Sequence, residues 1–83
     1  MSYEKVTQAA EVVIGTKQTL KALEAGTADE VIVAEDAEKR VVNKIILAAK
    51  DRNIPIHTVD SMQLLGKACG IDVGAATVAL KKG

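Results

Sequence analysis

Eighty-three residues allow a single domain, and a composition that is 48% hydrophobic supplies a small core. Eleven basic side chains balance eleven acidic ones, which argues against a nucleic-acid binder working by general charge excess and confines any anion site to a local asymmetry. With no Phe, no Trp and one Tyr, the core must be built from Val, Ile, Leu and Ala, and stacking of bases on sheet aromatics, as in the RRM module, is excluded.

Glu4 to Glu11 is predicted as a short helix with Val6, Ala9 and Ala10 as its apolar stripe. Val12-Val13-Ile14 has the unbroken β-branched character of a buried strand. A second helix follows, with Thr16 as N-cap, Leu20 and Leu23 buried, and Gly26 as its stop. Val31 to Ala34 is the next buried strand, and Asp36 is read as the N-cap of a third helix running to about Arg52. There Ala37, Val41, Ile45, Ala48 and Ala49 keep the helical period, while Glu38, Lys39, Arg40, Lys44 and Lys50 take the wet side. Asn53 ends that helix, and Pro55 enters a strand over residues 56–59 whose lost N–H fits an edge or a strand start. Ser61 caps a fourth helix carrying Met62 and Leu65, Gly70 ends it, and residues 75–80 form the last strand. Strands and helices alternate throughout, so the expected fold is a three-layer α/β/α sandwich, one domain over residues 1–83.

The residues from Met1 to Lys5 lack a basic segment leading into an apolar one, so no secretory signal is expected. No apolar run approaches the roughly 18 residues of a membrane helix. The single cysteine, Cys69, excludes an internal disulfide, and a cytoplasmic location with no membrane partner is expected.

Catalysis has little to work with. His57 is the only histidine, lies in a predicted strand and has no partner near it in sequence, which favours a structural role over acid–base chemistry. Cys69, at the end of an apolar helical stripe, reads as a core thiol. Clusters of Cys and His that would bind a metal are missing, and Glu35-Asp36 reads more simply as a strand exit followed by a helix cap than as an acid pair. No enzyme, metal or cofactor is expected.

Two segments carry more. Gly15-Thr16-Lys17-Gln18-Thr19-Leu20-Lys21 follows the first apolar run, so a strand breaks at a glycine and restarts as a helix. The N–H groups of such a helix start favour anions. Lys17 and Lys21 share a face at i, i+4, and the amide of Gln18 can both donate to and accept from a base edge. The spacing is neither a dinucleotide fingerprint nor a P-loop. The second segment runs from Leu64 to Ala79 and includes Gly66-Lys67-Ala68-Cys69-Gly70-Ile71-Asp72-Val73-Gly74-Ala75-Ala76, where two branched apolar residues sit between glycines. Ile71 and Val73 can fold back into the core or stand free to meet a partner. From the residues alone, a phosphate-binding protein or enzyme acting at the Gly15 turn and a small interaction module docking an acidic partner through the second helix remain open.

Together the two segments resemble the ribosomal-protein superfamily that binds kink-turn RNA, and within it the small bacterial YbxF group, with the likeness running from about Val6 to Leu80. The resemblance implies a mixed four-stranded sheet and a non-enzymatic monomer that recognises tandem sheared G·A pairs in ribosomal or riboswitch RNA, with the ribosome as a candidate partner. It implies that Gly15 lets RNA approach the backbone, that Thr16, Lys17, Gln18 and Lys21 contact the G·A pairs and nearby phosphates, and that Glu35 and Asp36 close the pocket and orient Lys21 or the loop. Ile71, Asp72, Val73 and Gly74 then form the specificity loop, whose apolar tip packs on an extruded nucleotide. Many archaeal members carry Asn-Glu where this chain has Lys17-Gln18, and proline where it has Gly74. A point charge in place of an amide and a less restrained loop both imply weaker binding than in those relatives.

Overall fold

The computed structural model describes residues 3–82. Met1, Ser2 and Gly83, at the two ends of the expected domain, lie outside the described residues. In chain order the elements are α1 (Tyr3–Gln8), β1 (Glu11–Ile14), α2 (Thr16–Ala25), β2 (Glu30–Ala34), α3 (Lys39–Asp51), β3 (Ile56–Val59), α4 (Met62–Ala68) and β4 (Thr77–Lys81). The strands form one mixed sheet in the order β1-β4-β2-β3, with β4 antiparallel to both neighbours and β3 parallel to β2.

Side chains of β2 alternate between the two faces, and all five of its residues are buried. Ile32 and Ala34 meet Val6 of α1 and Leu65 of α4 on one face, together with Val78 and Leu80 of β4. On the other, Val31, Val33 and Ala79 meet Ala22 and Leu23 of α2 and Ile45 and Ala49 of α3. These are the three layers that the alternating pattern implies.

Several local expectations are corrected. The first helix ends at Gln8, leaving Ala10 exposed and Glu11 to open β1. β1 is half-buried at a sheet edge rather than inside, because Val12 and Ile14 pack on one core and Val13 on the other while only β4 pairs with the strand. Leu20 is only half-buried, and Cys69 also sits at the margin of the core, where partial burial raises its thiol pKa. The last strand begins at Thr77, after residues 75 and 76 have closed the preceding loop. Asn53 does end α3, in a left-handed conformation with φ 56°. β3 is the opposite edge strand, and the Pro55 carbonyl accepts from Val31 N at 3.0 Å.

At the end of the sheet where β2 begins, Glu30 is buried and its Oε1 lies 2.9 Å from His57 Nε2 and 3.4 Å from Lys5 Nζ. The histidine therefore has a structural partner from a neighbouring strand. Its hydrogen bond, aided by the Lys5 charge against the opposing effect of burial, holds the Glu30 carboxyl below its ordinary range. A depressed carboxylate stabilises the fold above its unfolded pKa, and that contribution disappears as pH falls through the lowered value. Urea unfolding of the wild type and of Glu30→Gln should show the wild type ahead at neutral pH and the gap closing in acid below the ordinary glutamate range. A gap that does not change with pH would remove the charge from the account.

Candidate nucleic-acid interface

Strand directions gather the candidate residues. β1 and β2 both oppose β4, and β3 follows β2, so the ends of β1, β2 and β3 meet the start of β4 at one edge of the sandwich. Gly15, Glu35, Asp36, Ser61 and the loop of residues 71–76 all lie there.

Gly15, not Thr16, is the N-cap of α2. Its φ of 102° and ψ of 152° belong to a region essentially reserved for glycine, and nothing stands within 4 Å of where a side chain would project. The helix starts one residue earlier than Thr16 would dictate because Thr16 is turned inward. The Thr77 hydroxyl lies 3.4 Å from both Thr16 and Thr19 Oγ1, and Thr19 and Thr77 are fully buried. Gly15 N donates to the Thr77 carbonyl at 3.0 Å. This small polar knot fixes the start of α2 against β4, and sequence reasoning missed both Thr19 and Thr77, which carry no periodic signal. With Thr19 inward, Lys17, Gln18 and Lys21 are left exposed on the outer face.

Asp36 does not cap α3, whose first residue, Lys39, follows Glu38 as a cap without a side-chain bond. The turn after β2 swings Asp36 towards α4 instead, where its Oδ1 accepts from Met62 N at 2.8 Å. Ser61 Oγ accepts from Leu64 N at 3.2 Å, so two of the orphan donors at the start of α4 are satisfied from outside. The Tyr3 hydroxyl donates to Asp60 Oδ1 and accepts from Ser61 N, holding the same turn from the α1 side. Asp36 thus acts on the neighbourhood of the loop and not on Lys21. Glu35 is exposed, with its backbone N–H bonded to the Val59 carbonyl at 2.7 Å.

The 71–74 loop lies back along α4. Ile71 N donates to the Gly66 carbonyl at 3.1 Å and Ala75 N to the Met62 carbonyl at 3.0 Å, pinning the loop at both ends. A Cβ on Gly66 would collide with the Val73 carbonyl, and one on Gly74 would come within 3.2 Å of Met62 Cβ. Gly66 is therefore the residue that lets the loop seat on the helix, a role its mid-helix position does not announce. Pinned in this way, Val73 is 69% exposed, Asp72 and Gly74 are exposed, and Ile71 is half-buried. The alternative in which Val73 folds into the core is excluded. The edge thus combines a glycine turn with open space, two lysines and an amide on a fixed helix, and an apolar side chain held out in solvent.

The sequence matches the Ribosomal protein L7Ae/L30e/S12e/Gadd45 family over residues 2–83. The chain belongs to this family. An RNA-binding protein of Halalkalibacterium halodurans is 70% identical over 82 residues, covering 99% of this chain and 100% of its own. The RNA-binding protein YbxF of Geobacillus stearothermophilus is 60% identical over 80 residues, covering 96% of this chain and 98% of its own. Among solved structures, the Giardia lamblia 15.5kD RNA binding protein superposes with a TM-score of 0.84 at 29% identity, covering 98% of this chain and 68% of that one. The mixed sheet and three-layer arrangement are those of the L7Ae fold. No helix among the described residues of this L7Ae-family chain is long and apolar enough to cross a membrane.

Proposed function

We propose that this chain is a cytoplasmic, non-enzymatic RNA-binding protein that recognises kink-turns through their tandem sheared G·A pairs, in ribosomal or riboswitch RNA, and acts as a monomer. The observation that carries the reading is Val73, an apolar side chain 69% exposed on a loop fixed by backbone bonds, at the same edge as Lys17, Gln18 and Lys21. An exposed valine on a pinned loop is matched by a nucleotide turned out of its stack, and the helix face beside it by base edges and phosphates. Because the protein side is already formed, binding selects the bent RNA and shifts an existing equilibrium towards it. Family membership and relatives named for RNA binding support the same reading.

The test is titration with a kink-turn RNA and with a control whose G·A pairs are replaced by Watson–Crick pairs. Binding should require the intact pairs, and equal affinity for both RNAs would sink the reading. Lys21→Ala should weaken binding severalfold, about 1 kcal/mol, at the low end for a contact made by a solvated point charge. Its melting temperature should not move, since Lys21 is exposed. An unchanged dissociation constant would remove Lys21 from the interface. On a minimal kink-turn with short stems, the slope of log affinity against log salt should correspond to only about three neutralised phosphates.

A further inference from the structure

The neutral total conceals a segregated charge. Helices α2 and α3 hold six basic and two acidic side chains, while the rest of the chain holds five basic and nine acidic ones. Both helices pack on the same sheet face, and both start at the edge that carries the candidate interface. Neither has an acidic residue in its first turn, where the backbone dipole favours one; Lys17 stands there in α2 and Lys39 and Arg40 in α3. Glu24 and Asp51, their two acidic residues, fall in the last turns, away from that edge. α2 therefore carries charge against its own dipole, whereas in α3 Lys39 and Arg40 follow a Glu38 N-cap and Lys50 stands in the last turn, so cations run the whole length of that helix.

Along the outside of α3, Arg40, Asn43, Lys44, Leu47 and Lys50 are all exposed. The 13 residues of α3 span about 20 Å, so these cations form a strip leading away from the α2 lysines. Lys39, Lys44 and Lys50 make no ion pair with a described residue. Arg40 meets Glu38 at 2.7 Å, but both side chains are largely exposed, so the pair holds the guanidinium only weakly.

We infer that the outer face of α3 is a second RNA-binding surface, one that takes the phosphate backbone of a double-helical stem leaving the kinked site. The inference rests on the kink-turn reading and extends it. Phosphates are the ligand that a row of flexible cations on a convex face fits. A protein partner would need a desolvated apolar centre, and Leu47 is the only large hydrophobic exposed on this helix.

Two kink-turn RNAs differing only in stem length, about four against about twelve base pairs on each arm, separate the surfaces through their salt slopes. The wild type should bind the long RNA at least fivefold more tightly, with a salt slope steeper by about two. The combined variant Arg40→Gln, Lys44→Gln, Lys50→Gln should bind the short RNA as the wild type does and lose the advantage on the long one. A melt equal to the wild type's verifies that it is folded. Equal affinity and slope of the wild type for both lengths would overturn the inference, as would a variant that weakens both RNAs alike. So would wild-type binding of a polyglutamate peptide, lost in the variant, with no gain from stem length, because the face would then take an acidic protein. If the short RNA binds equally well with its G·A pairs disrupted, the kink-turn reading itself fails, and this result is independent of stem length.

Discussion

Replacing Gly66 by alanine should destabilise the domain, although alanine is the better helix former. Propensity alone favours the change by up to about 1 kcal/mol. Against it stands the Val73 carbonyl, occupying the space a Cβ would need, with the Val73 carbonyl carbon at 3.0 Å and Gly74 Cα at 3.2 Å. All three are backbone atoms, so no side chain can rotate away and the loop itself must lift. Overpacking of this kind costs about 1–3 kcal/mol. Because backbone must move, the cost falls in the upper part of that range, and the net expectation is a loss of about 1–2 kcal/mol, each kcal/mol lowering the melting temperature by about 4–8 °C in a domain of this size. Kink-turn affinity should fall at least tenfold with it, because Val73 no longer stands where the loop now holds it. A variant more stable than the wild type would mean that the loop moves away without cost and that its seat on α4 is unimportant.

Val73→Asp should give the complementary result, with binding lost and folding kept. The side chain is 69% exposed, so the free protein gives up little on the change, and its melt should stay within the small range of surface substitutions. In the complex, a carboxylate would be pressed against apolar base surface and close to phosphates, so desolvation and like-charge repulsion both oppose binding. Affinity for a kink-turn RNA should drop at least tenfold, about 1.4 kcal/mol. Calorimetric melting beside an RNA titration reads both quantities. An intact melt with intact binding would take the loop out of the interface.

Much of the fold was legible in the sequence because its signals are local. The run Val31 to Ala34 reads as a strand covered on both faces, and the 3.6-residue period through Ile45 and Ala49 reads as an amphipathic helix. What stayed hidden depends on which element lies beside which. The β-branched residues of β1 read as interior, yet the strand lies at the edge, since neighbour order is not encoded in a single strand. Asp36 sits where a cap of α3 belongs, and only the path of the chain shows that it serves α4. At the site, the exposed cations and the glycine turn were visible as patterns. The threonine knot was not, because Thr19 and Thr77 are 58 residues apart and each is unremarkable alone. In the sequence Gly66 is one glycine among several in its motif, and its role appears once the loop rests against it.

The order of the strands in the sheet also bears on how the protein is made. β4 leaves the ribosome after β1, β2 and β3, yet it lies between β1 and β2 and is paired with both. Until it emerges, β1 has no strand partner, Gly15 lacks the Thr77 carbonyl, and the 71–74 loop has no strand to end in. Such long-range pairing defers closure of the sheet until β4 has been made. A nascent chain stalled before Thr77 would therefore keep at most the β2–β3 pair and lack the strand that joins β1 to it, so the proposed RNA-binding edge cannot form before β4 emerges.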